Sequence, residues 1–312
     1  MTNIRPHGLH HVTALASDPQ KNVDFYTKVL GLRLVKQTVN FDAPDVWHLY
    51  YGDEQGSPSS LLTFFPWPGI RQGKEGAGLT TATSLAIPRE SLGWWNEWLR
   101  SLDVEQESIS TTDGQEKILL RDYDGMGLEL VGVEGDSRSG WDGKAGIPQE
   151  HAIKGLSSVT FSEAQLEPTA IMLTEFLGMQ SSTETTSAAQ FEMGQGGSGA
   201  MVRVEAGVSD RGLQAGGTVH HVAFRAPDLQ TMESWRDELT SQGIPVTEIM
   251  DRQYFKSIYF REPGGVLFEI ATDSPGFDID EPLLELGRAL RLPPWLEPSR
   301  EQIQASLPRI EV

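Results

Sequence analysis

The chain has 312 residues, enough for two domains of ordinary size, and its 38% hydrophobic and 22% charged content is that of a folded globular protein rather than a disordered one. Lys and Arg number 25 against 44 Asp and Glu, a formal charge of −19, which repels nucleic acid and anionic membranes and argues against both as partners. Cysteine is absent, so disulfides, thiolate metal sites and a cysteine nucleophile are excluded together.

No apolar run approaches the roughly 20 residues of a membrane-spanning helix. Residues 1–9 lack the charged start and apolar middle of a signal peptide, so the expected location is cytoplasmic.

In chain order, Gly8 opens a short alternating run, Gly-Leu-His-His-Val-Thr, that reads as a strand. Residues 18–30 follow with helical period, an acidic, proline-containing start and Gly31 after the end. The same order then recurs. Gly-Leu-Thr-Thr-Ala-Thr from Gly78 precedes a helix over 88–102, and Gly-Leu-Ser-Ser-Val-Thr from Gly155 precedes a helix over 167–177. Thr-Val-His-His-Val-Ala from Thr218 precedes a helix over 228–242. Each helix leads into two or three strand-like runs. In the fourth copy these are 245–249, 256–261 and 266–271, with Pro263-Gly264-Gly265 as a turn.

The repeating unit is strand, helix, three strands, over roughly 60 residues. One βαβββ unit is too small to close a core, and two pair into a cupped half-barrel, so an α+β protein of two cups is expected. The expected division is an N-terminal domain over 1–140, a C-terminal domain over 150–275 and a tail over 276–312. Residues 135–153, rich in Gly, Ser and Asp, read as the linker. The tail holds a proline-containing stretch, 292–298, and a short helix.

The module, its four copies and the two His-His pairs resemble the vicinal oxygen chelate superfamily, which includes glyoxalase I, extradiol dioxygenases and bleomycin resistance proteins. Within it, the chain is most similar to hydroquinone ring-cleaving dioxygenases. The resemblance covers almost the whole chain and is carried by LHHVTAL from Leu9, FYTKVLGLRLVKQTVNFD from Phe25, FFPWPG from Phe64, HHVAFRAPD from His220 and DRQYFKSIYFREPGGVLFEIATD from Asp251.

The resemblance implies a metal site inside a cup, with ligands from the first and last strands of two modules. The first-strand position is His11, Thr81, Ser158 and His221 in modules one to four. The last-strand position is Thr63, Glu129, approximately Arg203, and Glu269. Only modules one and four offer histidine, so module one should face module four and module two should face module three. The family points to the second histidine of each pair. His11, His221 and Glu269 then form the two-imidazole, one-carboxylate set of Fe(II) oxygenases, with Mn(II) as the alternative metal. Thr63 stands where glyoxalase I typically supplies a fourth ligand, and leaves room for a substrate oxygen and O2.

Adjacent strand residues face opposite ways, so one histidine of each pair enters the cup. His10 and His220 are assigned to orienting the ligands or exchanging protons. Thr13 shares the parity of His11 and should face the cup. Arg252 and Tyr259, which match positions that look functional in the hydroquinone dioxygenases, are candidates for stabilising an aryloxide and hydrogen-bonding substrate or oxygen. His7, His48 and His151 lack such support and read as structural. Trp94, Trp95 and Trp98 have the spacing of a helix core, whereas the run from Phe64 to Trp67 ends a strand beside the cup. The cluster from Gly194 to Gly199 reads as a turn, since it lacks the Lys-Ser/Thr ending of a phosphate loop. In the second cup, Glu129 and Arg203 are expected to form a salt bridge, directly or through one intermediary, in the place of the lost metal.

The function implied is an extradiol-type ring-cleaving dioxygenase, with an aromatic diol and O2 as its small-molecule partners. A homo-oligomer stays open. The competing readings are a glyoxalase-type isomerase or lyase with Zn or Ni, and a non-catalytic binding protein of the bleomycin-resistance type.

Overall fold

The computed structural model describes residues 4–141 and 146–312; the rest of the expected linker, 142–145, lies outside the described residues. Module one is built from β1 (Leu9–Ala16), β2 (Arg33–Asn40), β3 (Ala43–Gly52) and β4 (Leu61–Pro66). Module two has β5 (Leu79–Pro88), β6 (Ser110–Thr112), β7 (Gln115–Arg121) and β8 (Gly127–Val133). Module three has β9 (Gly155–Glu163), β10 (Gln180–Glu184), β11 (Ala188–Glu192) and β12 (Met201–Ala206). Module four has β13 (Thr218–Ala226), β14 (Met250–Asp251), β15 (Lys256–Arg261) and β16 (Leu267–Thr272).

These strands form two eight-stranded sheets, in the orders β14-β15-β16-β13-β1-β4-β3-β2 and β10-β11-β12-β9-β5-β8-β7-β6. Modules one and four therefore share one sheet and modules two and three the other. Each sheet takes one module from each half of the chain, joined by antiparallel pairing of first strands, β1 with β13 and β5 with β9.

The helices follow their capping signals. Asp18 accepts from the backbone N–H groups of Gln20 and Lys21 at the start of α1 (Pro19–Asp24), and Asp228 accepts from Thr231 at the start of α4 (Leu229–Ser241). The helix after β5 is α2 (Leu92–Ser101) and that after β9 is α3 (Leu166–Ile171). In modules one and three the expected helix finishes in a π-helical turn, Phe25–Val29 and Met172–Phe176. Trp95 of α2 is fully buried and Trp94 stacks on Trp98 and His151, so these indoles belong to packing as expected.

Strand alternation separates core from cup. Val12, Ala14, Leu62, Phe64, Phe268 and Ile270 join one continuous buried cluster that runs through both sheets, with Phe161 against Phe268. The intervening residues of the same strands include His11, Thr13, Thr63 and Glu269.

Two expectations change. Residues 245–249 do not form a strand; only Met250–Asp251 pairs with β15. Thr247 meets Tyr259 with its backbone N–H but accepts the return bond on Oγ1 rather than on its carbonyl, so the ladder does not extend. The tail, with its short helix α5 (Arg300–Ser306), is docked on module one. Buried Lys36 on β2 donates to Phe277 O, Asp280 and Glu281, Gln37 donates to Gly287 O, and Trp47 Nε1 donates to Pro308 O.

Candidate metal centre

Each paired first strand carries a β-bulge at its histidine pair. Along β1, Leu9 pairs with Phe224 and His11 with Ala223, which leaves His10 unpaired; along β13, His221 pairs with Thr13 and Val219 with Ala14, which leaves His220 unpaired. A bulge re-aims side chains that strict alternation would send to opposite faces. The expectation that one histidine of each pair enters the cup holds for the first pair, where His11 but not His10 lines the cavity, and is corrected for the second, where His220 and His221 both line it. His10 Nδ1 lies 2.9 Å from His11 Nδ1, and His220 Nδ1 lies 2.8 Å from His221 Nδ1.

His11, His221 and Glu269 converge in the cup between modules one and four. The two Nε2 atoms are 3.2 Å apart, and Glu269 Oε2 lies 3.3 Å from His11 Nε2 and 2.9 Å from His221 Nε2. All three residues are buried, and Oε2 makes no hydrogen bond despite these approaches. Donor atoms at neighbouring corners of a coordination sphere with bonds of 2.0–2.2 Å stand about 3 Å apart. Unpaired lone pairs at this separation fit a divalent cation. Ser257 Oγ donates to the other carboxylate oxygen, Oε1, and fixes its plane. Burial pushes the His221 imidazole below its usual value and so keeps it neutral. Burial would raise Glu269, but the two imidazoles outweigh it and hold the carboxyl well below its usual range.

The orienting roles expected of His10 and His220 have matching contacts, but the two differ in setting. With metal on Nε2 of a ligand imidazole, Nδ1 carries the proton and donates it to the neighbouring Nδ1. Burial and the adjacent imidazole hold both His10 and His220 down to about 3, hence neutral and able to accept. His220 lines the metal cavity, whereas His10 borders a separate pocket beside Tyr254 and Phe277. Phe255 packs on both His10 and His11, its ring centroid 5.2 Å from each.

The metal cavity holds about 430 Å³, and Phe41, Phe65, Trp67, Met250 and Leu267 supply much of its wall. A larger polar cleft of about 810 Å³, between Arg138 and the Gly194–Ala200 turn, contains none of the paired histidines; chemistry, not size, locates the site. Arg252 and Tyr259 both line the metal cavity. Arg252 Nε donates to the Tyr259 hydroxyl at 3.2 Å, and its Nη1 lies 3.1 Å from Asp42, across the mouth from module four. Thr13 is buried beneath the cavity wall, with Oγ1 2.7 Å from Thr63 Oγ1. Register places Thr63 opposite Thr13 as Glu269 is opposite Ala223, so Thr63 is the symmetric counterpart of the carboxylate.

Among the lining residues that escape sequence reading, His48 and Tyr50 carry hydrogen-bonding groups side by side. His48, assigned a structural part, bonds Thr63 Oγ1 through Nε2 at 3.0 Å and the Tyr50 hydroxyl through Nδ1 at 2.9 Å, and both rings line the cavity. The signal available was the alternation His48-Leu49-Tyr50 on a strand paired with Thr63.

In the second cup the expected salt bridge does not form. Glu129 is bonded by Lys117 from the adjacent β7 and by Ser84, while Arg203 pairs with Asp113 and Glu205. Glu129 is satisfied from the neighbouring strand, and Arg203 by Glu205 of its own strand and Asp113 in the turn between β6 and β7, so neither charge needs the other.

The fold and site define a class: paired βαβββ modules that hold two imidazoles and a carboxylate inside one half-barrel. Residues 8–130 and 156–270 match the model of the Glyoxalase/Bleomycin resistance protein/Dioxygenase superfamily, and the chain belongs to that superfamily. It is 39% identical over 316 residues to the Bacillus subtilis (strain 168) protein named "Putative ring-cleaving dioxygenase MhqA", covering 99% of this chain and all of the relative. It is 34% identical to the chlorohydroquinone/hydroquinone 1,2-dioxygenase of Sphingobium indicum, with 96% and 95% of the two chains covered. A crystal structure described as "putative dioxygenase from Bacillus subtilis subsp. subtilis str. 168" superposes with a TM-score of 0.95 at 39% identity over 99% of each chain. Among the described residues no helix is long and apolar enough to cross a membrane.

Proposed function

We propose that the chain is an Fe(II)-dependent, extradiol-type dioxygenase that opens the ring of a hydroquinone or related aromatic diol and places both atoms of O2 in the product. The observation that carries this reading is the donor set. His11, His221 and Glu269 supply three ligand atoms about 3 Å apart, and Thr63, the counterpart of Glu269, is a hydroxyl tied to Thr13 and His48 rather than a fourth ligand. Three ligands leave positions open for two exogenous molecules. The aromatic wall of the cavity suits a ring substrate. The names of the full-length relatives agree.

Fe(II), when bound, supplies an electron-rich centre at which a diol oxygen and O2 come together. The protein does the rest. His10 and His220 keep the ligand imidazoles in the tautomer that leaves Nε2 free, and Ser257 fixes the Glu269 plane. Arg252, held by Tyr259 and Asp42, offers a fixed cation to an aryloxide. The Tyr259 hydroxyl keeps its proton, since burial and the nearby Glu269 charge push it far up, and it serves as a hydrogen-bond donor.

The test is oxygen uptake by protein stripped of metal and reloaded anaerobically with Fe(II), Mn(II), Zn(II) or Ni(II), on panels of hydroquinones and catechols. One O2 consumed per ring opened, with Fe(II) or Mn(II), is expected. No uptake with either metal, together with isomerase activity on a thiol–aldehyde adduct with Zn(II) or Ni(II), would replace this reading by the glyoxalase one.

A further inference from the structure

The module-one wall of the metal cavity carries two side chains that hold no metal, Tyr50 and His48 on β3. Register relates them to module four. Tyr50 stands opposite Thr63 as Tyr259 stands opposite Glu269, and His48 bonds Thr63 as Ser257 bonds Glu269. The pair therefore flanks the place where the chain offers a hydroxyl instead of a second carboxylate.

Hydrogen bonding assigns the tautomer of His48. Tyr50 is 1% exposed, and the acceptor for its hydroxyl proton is His48 Nδ1 at 2.9 Å. A buried phenolic proton without an acceptor is costly, so Nδ1 accepts and Nε2 carries the ring proton, which it donates to Thr63 Oγ1 at 3.0 Å. The outcome is a neutral imidazole whose lone pair meets Tyr50, and Tyr50 faces the cavity. Burial, then the neighbouring His11, His221 and Arg252, hold His48 well below its usual value, with Glu269 opposing; the resting imidazole is uncharged, and it takes a proton against this opposition only as the aryloxide formed beside it supplies the compensating charge.

The other titratable groups of the wall are committed. His11, His221 and Glu269 form the donor set. His220 accepts at Nδ1 from His221 and so carries its own proton on Nε2, which makes it a donor. Arg252 is a permanent cation, Tyr259 keeps its proton, and Asp42 is paired with Arg252 at the mouth.

We propose that Tyr50 and His48 form the proton relay that ionises a bound phenol, an inference that rests on the metal-dependent reading of this cup. The substrate O–H bond breaks and its proton goes to Tyr50 Oη as the proton of Tyr50 passes to His48 Nδ1. Tyr50 ends as it began, and the products are an aryloxide and an imidazolium whose Nε2–H remains on Thr63. No electrons change hands in this step. Thr63, itself bonded to Thr13, is a positioning residue that holds the imidazole in the required tautomer.

The test uses the full chain loaded with Zn(II), which does not activate O2, and a chromogenic nitrophenol whose absorption reports its ionisation. The unaltered protein should bind the probe as phenolate at a pH below that at which the free phenol ionises. Tyr50→Phe and His48→Gln should keep zinc content and a cooperative unfolding transition, yet raise the pH of half-ionisation of the bound probe by about one unit or more. Half-ionisation unmoved in both variants, or a probe bound un-ionised by the unaltered protein, would overturn the relay. Tyr50→Phe keeps the ring that packs on Phe277 and so decides the matter if His48→Gln misfolds. An unaltered protein that ionises the probe but takes up no oxygen with Fe(II) and hydroquinone would remove the dioxygenase reading and leave the relay standing.

Discussion

The two cups repeat one plan with different contents. Both sheets join first strands antiparallel, carry bulges at the same pairs and set the last strand parallel to the first. In one cup the bulged pairs are histidines and the last strands bring Glu269 and Thr63. In the other they are Thr80-Thr81 and Ser157-Ser158, and the last strands bring Glu129 and Arg203. Lys117 bonds Glu129 from the same place on the neighbouring strand that Ser257 takes beside Glu269. In the second cup an ammonium thus takes the Ser257 place on one carboxylate oxygen and Ser84 holds the other, so neither oxygen is left for a cation. The bulge is a property of the fold; the metal site is a property of a few side chains placed on it.

The largest effect separates the two glutamates. Glu269→Ala should weaken divalent-metal binding by more than about 100-fold, beyond the 10–100-fold that loss of a supporting residue brings, and should abolish turnover. Glu129→Ala should leave metal content unchanged. It strands Lys117, whose side chain is 14% exposed, and should cost about 3 kcal/mol, the low end for a broken buried pair because water still reaches the ammonium. Metal analysis and denaturant unfolding of both variants decide. Metal lost from Glu129→Ala, or retained by Glu269→Ala, would break the comparison.

A subtler change makes the first cup more symmetric. Thr63→Glu places a carboxylate opposite Glu269 and so offers a fourth ligand. Divalent-metal binding should tighten while oxygen uptake falls by at least about tenfold, a barrier increase near 1.4 kcal/mol, because a position open to substrate is filled. Competition with a chelator and an oxygen electrode read the two quantities. Full oxygen uptake with the extra carboxylate bound to metal would show that the missing ligand does not shape the reaction.

Much of this was legible in the sequence because the modules repeat. A histidine pair at one position in copies one and four, with Thr and Ser between, singled out His11 and His221 and implied the pairing of modules that the strand order shows. What stayed hidden depends on contacts across strands. The bulges that turn His10 toward His11 are a matter of register with β13 and leave no local mark. His48 gains its meaning from Thr63 on the next strand, and Glu129 finds Lys117 one strand away rather than Arg203 across the cup. The tail read as an appendage because nothing local announces that Asp280 and Glu281 will meet a buried Lys36.

The smallest effect concerns the junctions that join the modules within each half of the chain. Asp122 and Glu262 occupy matching places, each accepting backbone N–H bonds from its own turn. In the first half, Asp124 is met by the N–H and hydroxyl of Ser17. In the second half the first strand ends in Glu163, whose buried carboxylate faces that of Glu262 and leaves Oε1 without a hydrogen bond. Burial first, then the Glu262 charge, raises Glu163 to about 8, with Arg211 opposing. The folded state therefore keeps a proton that the unfolded chain, with an ordinary carboxyl near 4.3, has already lost. Stability from this group is fully present below about 4.3 and declines as pH rises toward 8, because unfolding releases a proton throughout that window. Glu163→Gln, which mimics the protonated form, should flatten this part of the Tm–pH curve and raise Tm at pH 8 relative to the unaltered chain, whereas Asp124→Asn, at the donor-rich junction, should lower it. A Tm–pH slope between pH 5 and 8 that is the same with and without Glu163→Gln would mean that the carboxyl is ionised in the fold, held by Arg211 rather than by a shared proton.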